Sequence, residues 1–213
     1  MEPKSGTIVI VTVDVEPAWE ADMNRWYDEE HIPGLLAVPG YLSARRFVAV
    51  SGGPKYMSLY EVASPEVRST PEYRKVVGTP WTERLRGHRT SQLAVYRQIF
   101  PAEGVIHGTA WGDGTTTVGG MVTTRTDVAP ENESDFNAWY NEQHLFTLCK
   151  VPGVISARRF RVVEGAPPYL AQYELVSPEV QAQEQWQGAN ATPWAVRARG
   201  NFTTRWRTVY RPL

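Results

Sequence analysis

Thr7 to Val15 is dense in β-branched residues and predicts a strand, and Met121 to Val128 predicts a second one like it. A helix follows each, entered after Pro17 and Pro130, since proline suits a first helical turn. At about 100° per residue, Trp19, Met23, Trp26, Tyr27 and Glu30 share one stripe, and Phe136, Trp139, Tyr140 and Gln143 repeat it. These are amphipathic helices that pack on a sheet. The first is expected to end near His31, because Pro33 and Gly34 follow at once. A Val-Pro-Gly turn then leads to a strand from Tyr41 to Val50, and Gly52-Gly53-Pro54 turns it into another from Tyr56 to Ala63. Ser64-Pro65-Glu66 starts a second helix that runs to about Val77. Thr79-Pro80-Trp81 opens a short turn, and Ser91 to Ile99 is the last strand. The order is β-α-β-β-α-β, the ferredoxin-like arrangement.

This order occurs twice. Trp26-Tyr27-Asp28-Glu29-Glu30-His31 returns as Trp139-Tyr140-Asn141-Glu142-Gln143-His144, an offset of 113 residues (144 minus 31). The same offset carries Val38-Pro39-Gly40 onto Val151-Pro152-Gly153, Ser43-Ala44-Arg45-Arg46-Phe47 onto Ser156-Ala157-Arg158-Arg159-Phe160, and Thr79-Pro80-Trp81 onto Thr192-Pro193-Trp194. A register held this long implies a duplicated unit. The expected division is 1–100 and 118–213, joined by a glycine-rich, non-periodic linker over 101–117.

Apolar residues make up 42% and charged residues 21%, which is ordinary for a chain with a real core. The net charge of −1 offers no electrostatic footprint for nucleic acid. Cys149 is the single cysteine, so no disulfide closes within the chain and a reducing compartment is expected. The apolar run Ile8 to Val13 is too short to span a bilayer, and no basic start precedes it, so a cytoplasmic location is expected. No clustered ligands imply a metal, and no glycine-rich phosphate loop follows a strand, so no cofactor is expected.

Two tandem units of this kind, each with Tyr-x-x-x-His near the end of its first helix, resemble the dimeric α/β-barrel superfamily, and within it the EthD-like proteins. The resemblance rests on Trp26 to Pro33, Val38-Pro39-Gly40 and Ala44-Arg45-Arg46-Phe47 with their second copies, and it covers both halves but not the linker. It implies an α+β fold in which the two repeats pack sheet to sheet as an intrachain dimeric α/β barrel. The halves would then take the place of two subunits, a pseudo-dimer in one chain, with further homodimer formation left open. It also implies a pocket between helices and sheet in each unit. The superfamily spans cofactor-free monooxygenases, cyclases, isomerases, lyases, haem enzymes and stress-response proteins.

The candidate chemistry centres on His31, because histidine moves protons near neutral pH. Tyr27 and Asn24 lie on its side of the helix, as Tyr140 and Asn137 do for His144. Each histidine is alternatively a residue that bonds the helix end and terminates it. Glu30 sits mid-stripe, where a carboxylate is either an acid–base group or bends to solvent, Arg45 or Arg46; its counterpart Gln143 cannot titrate. Arg45-Arg46 and Arg158-Arg159 lie on strands, so one of each pair faces each side of the sheet. They would anchor a carboxylate, or pair with Glu61 and Glu174 on the neighbouring strand. Trp26 would help line a pocket, and Trp81 would either cap its mouth, as Trp194 would in the second half, or pack in the core. Phe146 stands where the first half has Pro33, which suggests a narrowed second pocket and places the chemistry in the first half.

The expectation is thus a cofactor-independent enzyme, a lyase, isomerase or cyclase, acting on a small apolar or aromatic molecule with His31 as general acid or base. The alternatives are a ligand-binding or stress-response protein, a haem-binding member and a cofactor-free monooxygenase.

Overall fold

The computed structural model describes residues 5–213; residues 1–4, counted above in the first unit and read for a targeting signal, lie outside them. Strands β1 (Thr7–Val15), β2 (Tyr41–Ser51), β3 (Tyr56–Val62) and β4 (Arg89–Phe100) pair antiparallel in the order β4-β1-β3-β2. The short β5 (Ile106–His107) follows, and then β6 (Gly120–Val128), β7 (Val154–Glu164), β8 (Tyr169–Leu175) and β9 (Phe202–Pro212), where β6 to β9 order as β9-β6-β8-β7. β2 pairs with β9 and β4 with β7, so β1 to β4 and β6 to β9 close into an eight-stranded antiparallel barrel. Closure removes the edges that each four-stranded sheet would otherwise expose.

Alternation along the strands divides the side chains between two environments. Ile8, Ile10, Phe47, Met57, Leu59 and Tyr96 meet Met121, Phe160, Leu170 and Tyr210 in one apolar cluster built from both halves. The opposite faces are covered by helices. Val13, Met23, Trp26, Tyr27, Tyr56 and Leu85 form a cluster in the first half, and Phe136, Trp139, Tyr140 and Tyr173 belong to a larger one in the second.

The helices differ from expectation in three places. The first does not stop at His31. α1 (Glu20–Trp26) passes into a π-helical segment, Tyr27–His31, and on into α2 (Ile32–Leu36). The Ile32 N–H donates to the Tyr27 carbonyl, five residues back, and the widened turn accommodates Pro33. The second half repeats the pattern without a proline: α5 (Glu133–Ala138), a π-helical segment Trp139–His144, and α6 (Leu145–Cys149). The helix expected from Pro65 to Val77 is broken at Thr70, which is extended (ψ 152°) because Pro71 follows it. A 3₁₀ turn, Pro65–Ser69, therefore precedes α3 (Pro71–Val77). Thr79-Pro80-Trp81 is a helix start rather than a turn: the Thr79 hydroxyl accepts from the Thr82 N–H and opens α4 (Pro80–Arg86). Thr192 does the same for α8 (Pro193–Gly200), which follows α7 (Glu184–Ala189). The linker also carries structure, since β5 adds to β7.

The arginine–glutamate pairs cross between the halves instead of staying within one sheet. Arg158 Nη2 donates to Glu61 Oε1 at 2.5 Å, and Arg45 Nη2 lies 2.8 Å from Glu174 Oε1. Arg45 and Arg158 are equivalent positions, as are Glu61 and Glu174, so the two bridges are reciprocal. The Arg158–Glu61 side chains are 2% and 1% exposed. Removing one member of such a pair strands the other charge in the interior, at a cost of about 3–5 kcal/mol. Urea unfolding of Glu61→Ala is therefore expected to show a loss of this size, and Arg158→Met with Glu61→Leu together to recover most of it. A loss below about 1 kcal/mol in the single variant would remove the pair's structural importance.

Candidate functional site

β2 positions the site by pointing successive arginines opposite ways. Arg45 enters the barrel, and Arg46 lies under α1. Arg46 Nη2 donates to Asn24 Oδ1 at 2.7 Å, and its guanidinium sits 4.0 Å over the Tyr27 ring. Arg46 is only 7% exposed, and burial lowers its pKa, with Tyr27 and Asp28 opposing that shift. Its Nη1 has no hydrogen-bond acceptor; the Asp28 Oδ1 is 3.6 Å away, on a side chain 67% exposed.

A cavity of about 560 Å³ opens beside this group. Asp28, Ile32 and Ala44 to Phe47 line it from the first half, Trp111, Thr116 and Thr117 from the linker, and Val118, Ile155, Glu174, Pro212 and Leu213 from the second half. It therefore lies at the junction of the two halves and is not confined between the helix and sheet of one unit. Its wall is mainly carbon, with Arg45, Arg46, Asp28 and Glu174 as the charged groups, the usual makeup of a small-molecule site.

The matching place in the second half is saturated. Arg159 Nη1 donates to Asn141 Oδ1 at 2.8 Å and Nη2 to Asn137 Oδ1 at 2.9 Å, over the Tyr140 ring at 4.3 Å. Burial brings the Arg159 pKa down to about 10. Asn141 stands where the first half has Asp28, so the guanidinium that is fully engaged in one half keeps a spare donor in the other.

Of the candidates, Asn24, Tyr27, Arg45 and Arg46 thus gather at or against the cavity, and the other first-half candidates lie elsewhere. His31 stacks on Trp26 at 4.1 Å, meets Tyr27 edge-on at 5.4 Å, and does not line the cavity. Burial, then Arg89 and Arg46, push its pKa down to about 3, so it is a neutral imidazole throughout the physiological range. His144, stacked on Trp139 at 4.2 Å, is likewise pushed to about 3, chiefly by burial. Neither ends its helix.

Glu30 meets neither Arg45 nor Arg46. It accepts from Thr79 Oγ1 at 2.5 Å and from Trp26 Nε1 at 3.2 Å, which clips the π segment to the start of α4. Gln143 accepts from Thr192 Oγ1 at 3.0 Å in the same way, so the clip works without a charge. Trp81 donates to Asp22 Oδ2 at 3.2 Å and ties α4 to α1, as Trp194 does with Asp135, instead of capping the cavity. Phe146 packs edge-on against Phe100 at 6.1 Å, away from His144. Cys149 is buried, and burial pushes its thiol up to about 12.

Sequence reasoning missed Asp28 and Trp111. The Asp28/Asn141 divergence was available in the alignment of the two halves, as Glu30/Gln143 was. Nothing in the glycine-rich linker marked Trp111.

Haem does not suit these surroundings. The cavity lining has no histidine, cysteine, methionine or tyrosine to serve as axial ligand, and His144 faces a nook of only about 20 Å³. Among the described residues no group of three or more His, Cys, Asp or Glu is placed to hold a metal ion, and no helix is long and apolar enough to cross a membrane.

No family model matches the sequence, and no curated protein does either. Solved structures do. The chain is similar to an anthrone oxidase-like protein, at 13% identity over 97% of this chain and 90% of that one, with a TM-score of 0.66. It is also similar to a candidate monooxygenase from Fusobacterium nucleatum (12% identity, 98% and 93% covered, TM-score 0.61) and to a chlorite dismutase variant from Candidatus Nitrospira defluvii (10%, 99% and 93%, TM-score 0.61). The fold is shared with these proteins. At these identities the likeness is one of fold.

An ordinary histidine pKa of about 6.5 in the unfolded chain against about 3 in the folded one means that the unfolded state binds more protons below pH 6.5. Stability should fall as pH drops from that point towards 3, by about 2 kcal/mol per histidine between roughly pH 7 and pH 5. Urea titrations at both values should show this loss, with His31→Phe removing about half; an unchanged slope in the variant would contradict the buried neutral assignment. Glu30→Gln, which copies the second half, should shift stability by no more than about 0.5 kcal/mol, and a larger loss would mean that its charge matters.

Proposed function

We propose that the chain is an enzyme that needs no bound cofactor and takes a proton from a small, flat, largely apolar molecule bearing a carbonyl or phenolic oxygen, held in the cavity between the halves. The observation that carries this reading is the buried Arg46, whose Nη1 lacks an acceptor beside that cavity while its counterpart Arg159 is saturated. A desolvated guanidinium donor is suited to an oxygen on which negative charge develops. In the step, a C–H bond conjugated with the carbonyl, directly or through an aromatic ring, breaks, the proton passes to the Asp28 carboxylate, and the electron pair is delocalised onto the oxygen facing Arg46. Tyr27 and Asn24 hold Arg46 in place. Proton removal of this kind begins isomerisation, elimination and ring closure alike. It also yields the electron-rich carbon with which dioxygen reacts in an oxidation of the anthrone type, which gives a ketone and water. His31 is a positioning residue in this reading, since a group with a pKa of about 3 is a weak base at neutral pH.

The same reading takes the chain as a tandem duplication, units 1–100 and 118–213, whose halves replace the two subunits of a dimeric barrel. The register of 113 residues, the matching strand orders and the reciprocal Arg45–Glu174 and Arg158–Glu61 bridges support it. Placement near the EthD-like proteins is supported by the Tyr-x-x-x-His and His-Ile-Pro sequences of the first half.

Anthrone is a suitable probe, with hydrogen–deuterium exchange at its acidic carbon followed by NMR. Protein is expected to accelerate the exchange. Asp28→Asn should reduce the acceleration by about 10²–10⁴-fold and Arg46→Gln by about 10²–10³-fold, while His31→Phe stays within a few-fold of the parent. Binding without exchange would make the protein a non-catalytic binder. Exchange that survives Asp28→Asn would overturn the assignment of the base.

A further inference from the structure

The second half carries a group of cations that the chemistry above does not use. Arg205 and Arg207 are two residues apart on β9 and so share its helix-facing side, where Arg199 of α8 joins them. Burial lowers the pKa of both Arg205 and Arg207, and the neighbouring arginines lower them further. With His144 and Tyr173 they line a nook of about 20 Å³, room for little more than one water-sized particle, which opens to solvent on one side. No Asp or Glu lines it. The acceptors these arginines do find are neutral: Arg207 Nη2 donates to Gln181 Oε1 at 2.7 Å, and Arg199 Nη1 to the Asn190 carbonyl at 3.1 Å.

Three buried polar atoms in the same nook have no hydrogen-bond partner, Trp139 Nε1 and two others. His144 is 5% exposed and its Nδ1 is unbonded; Tyr173 is 2% exposed and its hydroxyl is unbonded. The first-half counterparts, His31 Nδ1 and the Tyr60 hydroxyl, are unbonded as well, so the cations and not the orphaned atoms set this nook apart. The fold does not demand this cluster. At the 113-residue offset, Arg199, Arg205 and Arg207 correspond to Arg86, Gln92 and Ala94 in the first half.

We propose that this nook is an anion site that takes a small oxyanion, phosphate or the phosphate head of an organic monoester, with one or two oxygens in the nook and the rest in its open mouth. Arg199, Arg205 and Arg207 supply the charge. The Tyr173 hydroxyl donates to an oxyanion oxygen. The site is separate from the cavity beside Arg46, since none of the residues lining one lines the other.

Isothermal titration of the full chain with inorganic phosphate, and separately with phenyl phosphate, tests this. Both are expected to give saturable one-to-one binding that weakens at least tenfold in Arg205→Gln, which is exposed enough to leave folding intact. Arg199→Gln should weaken binding in the same direction, and Arg46→Gln should leave it within twofold of the parent. Tighter binding of the free ion would identify inorganic phosphate as the occupant, and tighter binding of the ester a ligand headgroup. Absence of saturable heat up to tens of millimolar, or equal binding in folded Arg205→Gln and parent, would overturn the proposal. Because Arg46→Gln disables the proposed chemistry and leaves this site alone, failure of one reading can be told from failure of the other.

Discussion

Neither half of this chain can satisfy its own sheet. Each four-stranded antiparallel array has one face covered by its helices, one face still apolar, and two unpaired edge strands. Pairing β2 with β9 and β4 with β7 resolves all of this at once, because the remaining faces turn inward together as the edges disappear. Almost everything else follows from that closure. The reciprocal arginine–glutamate bridges exist because the two sheets face one another, and the cavity exists because the halves and the linker meet beside the first π segment.

The π segments are the second determinant of the site. In both halves a tryptophan at or just before the widened turn meets the next tyrosine edge-on and stacks on the histidine, at 4.6 and 4.1 Å between ring centres for Trp26. The tyrosine is thereby turned against the strand arginine, and the histidine against the tryptophan. An aromatic stack of this sort keeps imidazole neutral and buried. The tyrosine instead helps hold a charged guanidinium in a place with little water. Proximity in the sequence therefore misleads about proximity in chemistry: Tyr27 and His31 are neighbours on the helix, yet only Tyr27 reaches the group that faces the cavity.

Much of the architecture was legible in the residues. β-branched runs marked the strands, proline and N-cap signals marked most helix starts, and the repeated register pointed to two similar units. That Arg45 and Arg46 face opposite sides followed from strand alternation alone. The partners did not. An arginine on β2 is equally able to meet Glu61 beside it or Glu174 across the barrel, and nothing local distinguishes the two. The helix end near His31 was misplaced because proline rules assume α-helical bonding, whereas a π turn has different bonds to lose. The cavity was invisible because residues near 28, 111, 155, 174 and 212 meet only when the barrel closes, and the second half's cations were hidden for the same reason.

The crossed bridges also bear on how fast this chain can fold. Arg158 and Glu61 are 97 residues apart, so their contact rewards the chain only after a long loop has been closed. Hairpins such as β2–β3 and β7–β8 join segments close in sequence and can form early, whereas barrel closure belongs to the slow, high-contact-order class of events. The linker eases that step. By tethering the two halves it turns their meeting into an intramolecular event, with an effective concentration on the order of millimolar, which two separate subunits would lack.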